Sequence, residues 1–364
     1  MNPVTDQSAT FPLLADPAVY RACTVDLLKR DQQRDYWIGL FRGHFATLLD
    51  AYRAEADDRG EDAELIDQRI ADAQERYFAW LDQIERDPGI HGHLDILSFC
   101  DARERVLRAV GIDDAYRLAK ATDTAHALPL LPGLLEELDA MPEAERRVAV
   151  MQGVFAGNIY DLGATETVSM FTDRRVDFRA VRSKLKPRPW HIDDLDAWLA
   201  RLDGPPHRAA VLFVDNAGPD VTLGMLPLAR ELLKRGTKVV LTANPYPSLN
   251  DVTHAELVEL VGAATEFDGV FGDALADERL LLVPSGNHCP LIDLAKINPE
   301  LAVVVESLGV DLVVLEGMGR AIESNLNARF TCDTLKLAMI KDRGVATELG
   351  AEVFDLVMRF EPAP

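Results

Sequence analysis

The sequence predicts an α/β protein in which a helical N-terminal part precedes a mostly parallel sheet. Two observations lead to this class. Apolar residues recur at helical spacing in the first half, whereas short apolar runs alternate with helical stretches in the second half. Such alternation gives a parallel sheet with helices on both faces. We therefore expect a helical domain over residues 1–145 and an α/β domain over residues 146–364.

The helical part begins with stripes of aromatic and aliphatic residues. Trp37, Leu40, Phe41 and His44 share one helical face, and acidic and basic residues fill the positions between the stripes. We interpret the stripes as packing between helices. The pattern predicts three helices, over Tyr36–Ala54, Asp62–Ile84 and Leu94–Val110.

The α/β part shows short apolar runs that read as buried strands. The predicted strands are Ala209–Val214, Lys238–Thr242, Leu280–Val283, Asp311–Leu315, Leu335–Ile340 and Val353–Arg359. Helices are predicted between them, over Pro219–Lys234, His254–Ala263, Pro299–Leu308 and Arg343–Leu349. The proline-containing stretch Lys184–Pro206 is expected to be an irregular segment leading into the sheet.

The charge balance excludes some classes of partner. Lys and Arg number 38 and Asp and Glu number 60, so the formal net charge is −22. Nucleic acids and anionic membranes are bound through basic residues, so neither is expected as a partner. The chain also has no apolar window long enough for a membrane span and no secretory leader, which predicts a cytoplasmic protein with reduced thiols. The oligomeric state is left open.

Acid–amide pairs follow two predicted strands. Asp215 and Asn216 come directly after the first strand, and Asp251 lies in the loop after the second. Ligands of such sheets bind beyond the carboxyl ends of the strands, and these oxygen donors suit a hard divalent cation. We therefore predict a metal held by Asp215, Asn216 and Asp251. The alternative is that these residues only cap the following helices.

Three further segments carry candidate substrate-binding residues. Gly317, Gly319 and Arg320 follow a strand, and the glycines would allow close approach of the backbone to a ligand. Lys336 lies in an apolar strand run, where an ammonium group needs a partner. It could bind a phosphate, with Asp215 or Asp251 as its partner when the site is empty, or form a structural salt bridge. The last segment contains Asn158 and Asp161, which would share a helical face and could orient a water or contact the outer shell of the metal.

Several familiar catalytic motifs are absent. There is no Walker A loop, no H-E-x-x-H and no G-x-S-x-G elbow, and the Gly317–Gly319 segment lacks the third glycine of a dinucleotide fingerprint. The Asp215 segment is not D-x-D, so an aspartyl-nucleophile phosphatase does not fit. A nucleoside-binding module or methyltransferase with a Rossmann-like sheet remains an alternative to a metal-dependent phosphatase.

Taken together, the motifs resemble the damage-control phosphatases, formerly domain of unknown function 89. The resemblance is greatest to the phosphatase domain of pantothenate kinase 4-like proteins and runs from about Tyr36 to Phe360. It is carried by Ala156-Gly157-Asn158-x-x-Asp161, Arg188-Pro189-Trp190, Asp215-Asn216-x-Gly218, Leu249-Asn250-Asp251-Val252-Thr253, Glu316-Gly317-Met318-Gly319-Arg320 and Leu335-Lys336-Leu337-Ala338-x-Ile340-Lys341.

The resemblance implies a Rossmann-like three-layer α/β/α sandwich and a metal-dependent phosphomonoester hydrolase. It implies a divalent metal on Asp215, Asn216 and Asp251, and phosphate contact by Lys336. Because these ligands are oxygens, Mg, Mn, Co or Ni could serve. Asp215 or Asp251 would take the proton of the attacking water. The implied substrate is a small phosphorylated metabolite, either 4'-phosphopantetheine or its oxidised or otherwise damaged forms. A sugar phosphate is the alternative substrate for the same site.

Overall fold

Seven strands form one sheet in the computed structural model, which describes residues 8–159 and 178–364. Across the sheet the order is β1-β7-β6-β5-β2-β3-β4. Neighbouring strands run parallel, except that β7 is antiparallel to β6. This arrangement confirms the mostly parallel sheet predicted from the sequence. The strands are β1 (Ile192–Asp193), β2 (Ala209–Phe213), β3 (Lys238–Ala243), β4 (Leu280–Pro284), β5 (Leu312–Glu316), β6 (Asp333–Met339) and β7 (Leu356–Glu361).

The central strands are continuous apolar runs because both of their faces are covered. Every residue of β2, β5 and β6 is buried. Val211 in β2 pairs with Val240 in β3 on one side and with Val313 in β5 on the other. This register brings the carboxyl ends of the three strands to the same edge of the sheet.

The N-terminal helices pack through their aromatic stripes, as the sequence predicts. The rings of Phe41 and Phe99 stack with centroids 5.1 Å apart, and those of Phe45 and Tyr77 lie 4.5 Å apart. The helices are α1 (Asp31–Asp58), α2 (Ala63–Arg86), α3 (Ile96–Ala109), α4 (Arg117–Ala127), α5 (Leu131–Ala140) and α6 (Glu143–Asn158).

The remaining helices connect the strands. They are α7 (Phe178–Ser183), α8 (Leu195–Leu202), α9 (Leu226–Lys234), α10 (His254–Ala264), α11 (Gly269–Ala276), α12 (Pro299–Leu308) and α13 (Arg343–Leu349). Two π-helical segments, Asp220–Met225 and Met318–Glu323, follow β2 and β5. The expectation of an irregular segment over Lys184–Pro206 is wrong, because β1 and α8 lie within it. A strand of 2 residues leaves no apolar run by which it could be found.

Each face of the sheet has its own apolar core. Val211, Phe213 and Leu315 pack with the aromatic residues of α1 to α3, whereas Leu212 and Val314 pack with α5, α6 and α9 on the opposite face. Helices therefore cover both faces, which confirms the predicted α/β class with a helical N-terminal region. The division at residue 145 stays a prediction. Among the described residues, we find no helix that is both long and apolar enough to cross a membrane.

Candidate active site

The carboxyl ends of β2 and β5 lie side by side, and each leads to an acidic residue. Asp215 follows β2, and Glu316 is the last residue of β5. From β2 the chain continues to β3 on one side and later returns to β5 on the other. A reversal of strand order leaves a crevice beyond the strand ends, and open α/β sheets bind their ligands there.

Three buried carboxylates meet at this crevice, and we call Asp215, Asp220 and Glu316 the acidic cluster. Each offers one oxygen, and these oxygens all lie within 4.8 Å of one another. Asp220 is the first residue of the π-helical segment after β2, and such turns are frequent at functional sites. Carboxylate oxygens in this number suit a hard cation, so the acidic cluster could bind a metal.

Two asparagine amides hold the carboxylates. Nδ2 of Asn158 donates to Glu316 Oε1 at 2.6 Å and lies 3.2 Å and 3.3 Å from oxygens of Asp220 and Asp215. Nδ2 of Asn216 donates to Asp220 Oδ2 at 2.7 Å and to Asp215 Oδ2 at 3.0 Å. Because the nitrogen of Asn216 is used in this way, its amide oxygen is the atom it can offer to a cation.

Burial makes the negative charge of the acidic cluster unfavourable. Burial, followed by the charge of Asp215, raises the pKa of Asp220 to about 7. Burial and the carboxylates of Asp220 and Asp215 raise the pKa of Glu316 well above its usual range. Asp220 Oδ1 is buried without a hydrogen-bond partner in the described part of the chain. A bound cation would offset both effects, so the residues present fit a metal.

Two buried cations face the acidic cluster. The Arg320 guanidinium contacts Asp215 through Nη1, and its Nη2 donates to Asp251 Oδ2 at 2.7 Å. Although burial opposes its charge, Asp251 and Asp215 raise the pKa of Arg320. Lys341 Nζ donates to the backbone carbonyl of Asn158 at 2.8 Å. Arg320 and Lys341 thus supply the positive charge that an anionic substrate needs at this acidic edge.

The loop after β3 brings Asp251 to the other acidic residues. The backbone of Asp251 pairs with that of Asn216, and Val252 N donates to Asp215 O at 2.9 Å. Asn244, which directly follows β3, donates from Nδ2 to Asp251 Oδ2 at 3.2 Å. Two loops from neighbouring strands therefore fix Asp215, Asn216 and Asp251 close together, as expected from their positions in the sequence.

Helix capping does not account for these residues. Thr253, not Asp251, is the N-cap of α10, and it forms a capping box with Glu256. The π-helical segment after β2 has Pro219 at its N-cap and no side-chain capping bond. The capping alternative is therefore wrong for Asp215, Asn216 and Asp251.

The glycines after β5 permit close approach of the backbone. Gly317 has a φ of 98°, and a Cβ at this position would lie 2.2 Å from Asp215 Oδ2. A Cβ on Gly319 would lie 2.8 Å from the carbonyl oxygen of Pro290. At both positions a side chain would push directly against the site, so glycine is required there.

Lys336 lies away from the acidic cluster. Its Nζ donates to the carbonyl oxygens of Leu326 and Ala328 at 3.0 Å and 2.7 Å and pairs with Glu361 Oε2 at 2.6 Å. The expected pairing of Lys336 with Asp215 or Asp251 is therefore wrong. These contacts favour the structural salt bridge over phosphate binding.

The other candidate residues have different positions relative to the cleft. Asn158 is fully buried and contacts the acidic cluster and not the open cleft. Asp161 lies outside the described residues. Asp220, Glu316 and Lys341 were not predicted as site residues. Glu316 could have been found as an acid that ends an apolar strand, and Lys341 as a lysine just beyond the next strand. Nothing in the sequence places Asp220 in the cluster.

A cleft opens between the acidic strand ends and the N-terminal helices. Asp215, Asn216 and Asp251 line it on the sheet side, together with Met318 and Gly319. On the helical side the lining is largely apolar and comes from α1 and α3, with Trp37, Leu40, Phe41, His44, Ile96, Cys100 and Arg103. The cleft is thus charged at one wall and apolar at the other.

Comparison with known families decides the class of the protein. Residues 42–357 match the model of the damage-control phosphatase ARMT1-like domain. The chain belongs to the damage-control phosphatase family. Membership confirms the resemblance seen in the sequence motifs and makes the chain a phosphatase.

Curated relatives of this damage-control phosphatase are found in plants and in the mouse. A damage-control phosphatase of Arabidopsis thaliana is 39% identical, and the alignment covers 96% of each chain. Pantothenate kinase 2 of the same plant is 41% identical over 97% of this chain but only 42% of its own length. The 4'-phosphopantetheine phosphatase of Mus musculus is 33% identical over 96% of this chain and 48% of its own. The chain thus spans less than half of these last two relatives.

A solved structure supports the fold. A DUF89 family protein from Pyrococcus horikoshii superposes with a TM-score of 0.59, covering 87% of this chain and 96% of that one. The sequences are 15% identical, so the likeness extends to the architecture alone.

Proposed function

We propose that this phosphatase hydrolyses 4'-phosphopantetheine or its oxidised or otherwise damaged forms in a metal-assisted reaction. The observation that carries the metal-assisted chemistry is the acidic cluster of Asp215, Asp220 and Glu316, buried beside Arg320 at the strand ends. The mouse relative is named a 4'-phosphopantetheine phosphatase, which supports this substrate.

The proposed cation is Mg, Mn, Co or Ni, held by Asp215, the amide oxygen of Asn216, and Asp251. Asp220 and Glu316 complete the negative charge around it, and Asp215 belongs to both groups of residues. When bound, the cation would neutralise charge on a phosphate oxygen and lower the pKa of a water. Exchangeable binding is expected, because the donors are all oxygens.

The chain's own residues have separate roles in this proposal. Arg320, which lies between Asp215 and Asp251, supplies positive charge next to the phosphate. The backbone around Gly317 and Gly319 approaches the same phosphate. Asp215 or Asp251 accepts the proton of the attacking water while the water oxygen bonds to phosphorus. The P–O bond to the alcohol breaks in that step, and its electron pair stays on the alcohol oxygen, which takes a proton from solvent. The products are inorganic phosphate and the free alcohol.

Phosphate release from 4'-phosphopantetheine, before and after chelation, tests the proposal. We expect chelation to remove activity and added divalent cation to restore it. Asp215→Asn should lower kcat/KM by well over the roughly 10- to 100-fold of an outer-shell change, and should abolish metal binding in calorimetry. Asp277→Asn is the matched control, because Asp277 is exposed on the surface. Full turnover after chelation, with no metal found by elemental analysis, would contradict the mechanism.

Separate variants distinguish the metal ligands. Asp251→Asn should weaken metal binding in calorimetry as strongly as Asp215→Asn if Asp251 is a direct ligand. If Asp220→Asn has the larger effect, the cation lies within the acidic cluster and Asp251 serves another role.

A further inference from the structure

The apolar wall of the cleft faces the charged wall directly. Leu40 and Phe41 on α1 and Ile96 on α3 line the same cleft as Asp215 and Asp251. A phosphate ester bound with its phosphate at the charged wall must place the rest of its structure within this cleft. The first atoms beyond the ester oxygen therefore meet a wall that is mainly aliphatic and aromatic, with His44 and Arg103 as its polar residues.

The position of α1 over the site is fixed by contacts at both of its faces. Tyr36 OH donates to Asp342 Oδ2 at 2.7 Å and accepts from Gly344 N at 3.2 Å, which ties α1 to the segment after β6. Phe41 stacks on Phe99 of α3. The apolar wall is thus pre-formed, and little ordering is needed when a ligand binds.

Leu40 is the apolar wall residue that a ligand can best reach without disturbing the core. It is partly exposed, whereas Trp37 and Phe41, its neighbours on the wall, are buried. An aliphatic contact of this kind stabilises a weakly polar chain. It offers no hydrogen bond to the hydroxyl groups of a sugar, which would lose their water on binding.

We propose that the part of the substrate beyond its phosphate, here called the organic arm, lies along the wall formed by Leu40, Phe41 and Ile96. Leu40 and Phe41 are then specificity-determining residues. The site then selects phosphate esters of long, weakly polar chains over sugar phosphates. This inference rests on the proposed function, since it concerns the part of the substrate that does not react.

Two esters that share a phosphate but differ in their arm test the inference. We compare 4'-phosphopantetheine with glycerol 3-phosphate as substrates of the wild type, Leu40→Ala and Phe41→Leu. Leu40→Ala should raise KM for the long ester by about 10-fold, because a buried aliphatic contact is lost. Its kcat/KM for glycerol 3-phosphate should stay within about 2-fold of wild type, since that ester is too short to use the wall. Leu65→Ala on α2 is the matched control, because Leu65 is 41% exposed.

Phe41→Leu provides a second variant that keeps an apolar side chain in the core. It should change the preference between the two esters in the same direction as Leu40→Ala. An unchanged preference in both variants, with unchanged melting temperatures, would overturn the inference. An equal loss on both esters would also overturn it, because the wall would then support the reacting centre and not the arm.

Binding of pantetheine, which lacks the phosphate, separates this inference from the proposed function. Calorimetry needs no turnover, so it reports on the wall even if the wild type hydrolyses neither ester. We expect pantetheine to bind the wild type and Leu65→Ala equally and Leu40→Ala about 10-fold more weakly. Equal affinity in all three proteins, or no binding to any of them, would refute the placement of the arm.

Discussion

Lys336 and Lys341 are two buried ammonium groups with different surroundings. Lys336 is bound by two backbone carbonyls and by Glu361, whose side chain is 42% exposed. Lys341 bonds the Asn158 carbonyl, and its charge acts on Asp220 and Glu316. Both positive charges are compensated, but only that of Lys341 adjoins the proposed reaction site.

Replacing each lysine with methionine should separate stability from catalysis. Lys336→Met leaves two carbonyls without their donor, so we expect the free energy of unfolding to fall by about 1–3 kcal/mol. Its kcat/KM per folded molecule should be unchanged. Lys341→Met should lower kcat/KM by about 100-fold, because a preorganised charge next to the acidic cluster is lost. Steady-state kinetics and thermal unfolding of the same preparations measure both quantities. A large loss of kcat/KM in Lys336→Met would return that residue to the active site.

Gly317→Ala should disrupt the site without a change of charge. The added Cβ would overlap Asp215 Oδ2, and φ is unfavourable for alanine. We expect metal affinity, measured by calorimetry, to fall at least 10-fold, comparable with loss of an outer-shell contact. Gly272→Ala in α11 is the matched control, since its nearest neighbour would lie 3.9 Å away. Equal affinities in the two variants would show that Asp215 is not a ligand.

Part of the site could be predicted at the residue scale, and part could not. Asp215 and Asn216 lie just beyond β2, and Asp251 lies in the loop after β3, so their place at the sheet edge follows from local sequence. Asp220 reaches the same point only because the chain turns through a π-helical segment, a geometry that residue spacing does not specify. Lys336 was misplaced because an apolar run does not reveal that Glu361 on the neighbouring strand would be its partner.

At the scale of single elements, α4 braces both loops that carry the site. Thr124 Oγ1 accepts from Gly218 N at 3.2 Å, just beyond Asn216. Lys120 Nζ lies 2.9 Å from Glu256 Oε1, and Glu256 Oε2 accepts from Thr253 N at 2.8 Å, just after Asp251. Lys120 is also paired with Asp114 at 2.9 Å. One helix therefore sets the separation of the loops after β2 and β3.

Loosening this brace should weaken the metal site from a distance. We expect Thr124→Val to lower metal affinity by about 10-fold, as loss of an outer-shell contact does, with kcat at saturating metal close to wild type. Thr122→Val is the control on the same helix, because the Thr122 hydroxyl donates to the Leu118 carbonyl of α4 itself. If the two variants have equal metal affinity, α4 supports the fold but does not position the loops.

The elements themselves were predictable where they are long. The aromatic stripes of α1 and α2 have a clear helical periodicity, and β2 and β3 are continuous apolar runs. The structure places these four elements as expected. The short strand β1 was not found because it pairs only at Ile192 and Asp193. Its position depends on β7, which is distant in the chain, so no local pattern could specify it.

At the scale of the whole molecule, a buried ionic group lies at the sheet edge opposite the site. His207 Nε2 lies 2.8 Å from Asp333 Oδ2, and Arg201 donates to the same oxygen at 2.6 Å. Burial and the positive charge of Arg201 both lower the pKa of His207, and their effect exceeds that of Asp333 and Asp311, which raise it. The neutral imidazole is therefore favoured in the folded protein.

This lowered pKa predicts how stability varies with pH. Below the ordinary histidine pKa of about 6.5, the His207 imidazole is protonated in the unfolded chain, whereas the folded protein favours its neutral form. His207 therefore contributes a loss of stability as the pH falls from 7 to 5. His207→Gln should show a smaller fall in melting temperature over this range, and His126→Gln, at an exposed position, should behave like wild type. A steeper fall in His207→Gln would reverse the assigned sign.

The place of β7 in the sheet has a practical consequence for handling the protein. The strand lies between β1 and β6, and it is the partner of both. Deleting Leu356–Glu361 would therefore open a gap inside the sheet and leave β1 without a neighbour. It would also expose the edge of β6 to pairing with other molecules. Shortened versions should be trimmed no further back than Glu361, and a purification tag attached after it needs a flexible spacer so that the strand can still insert.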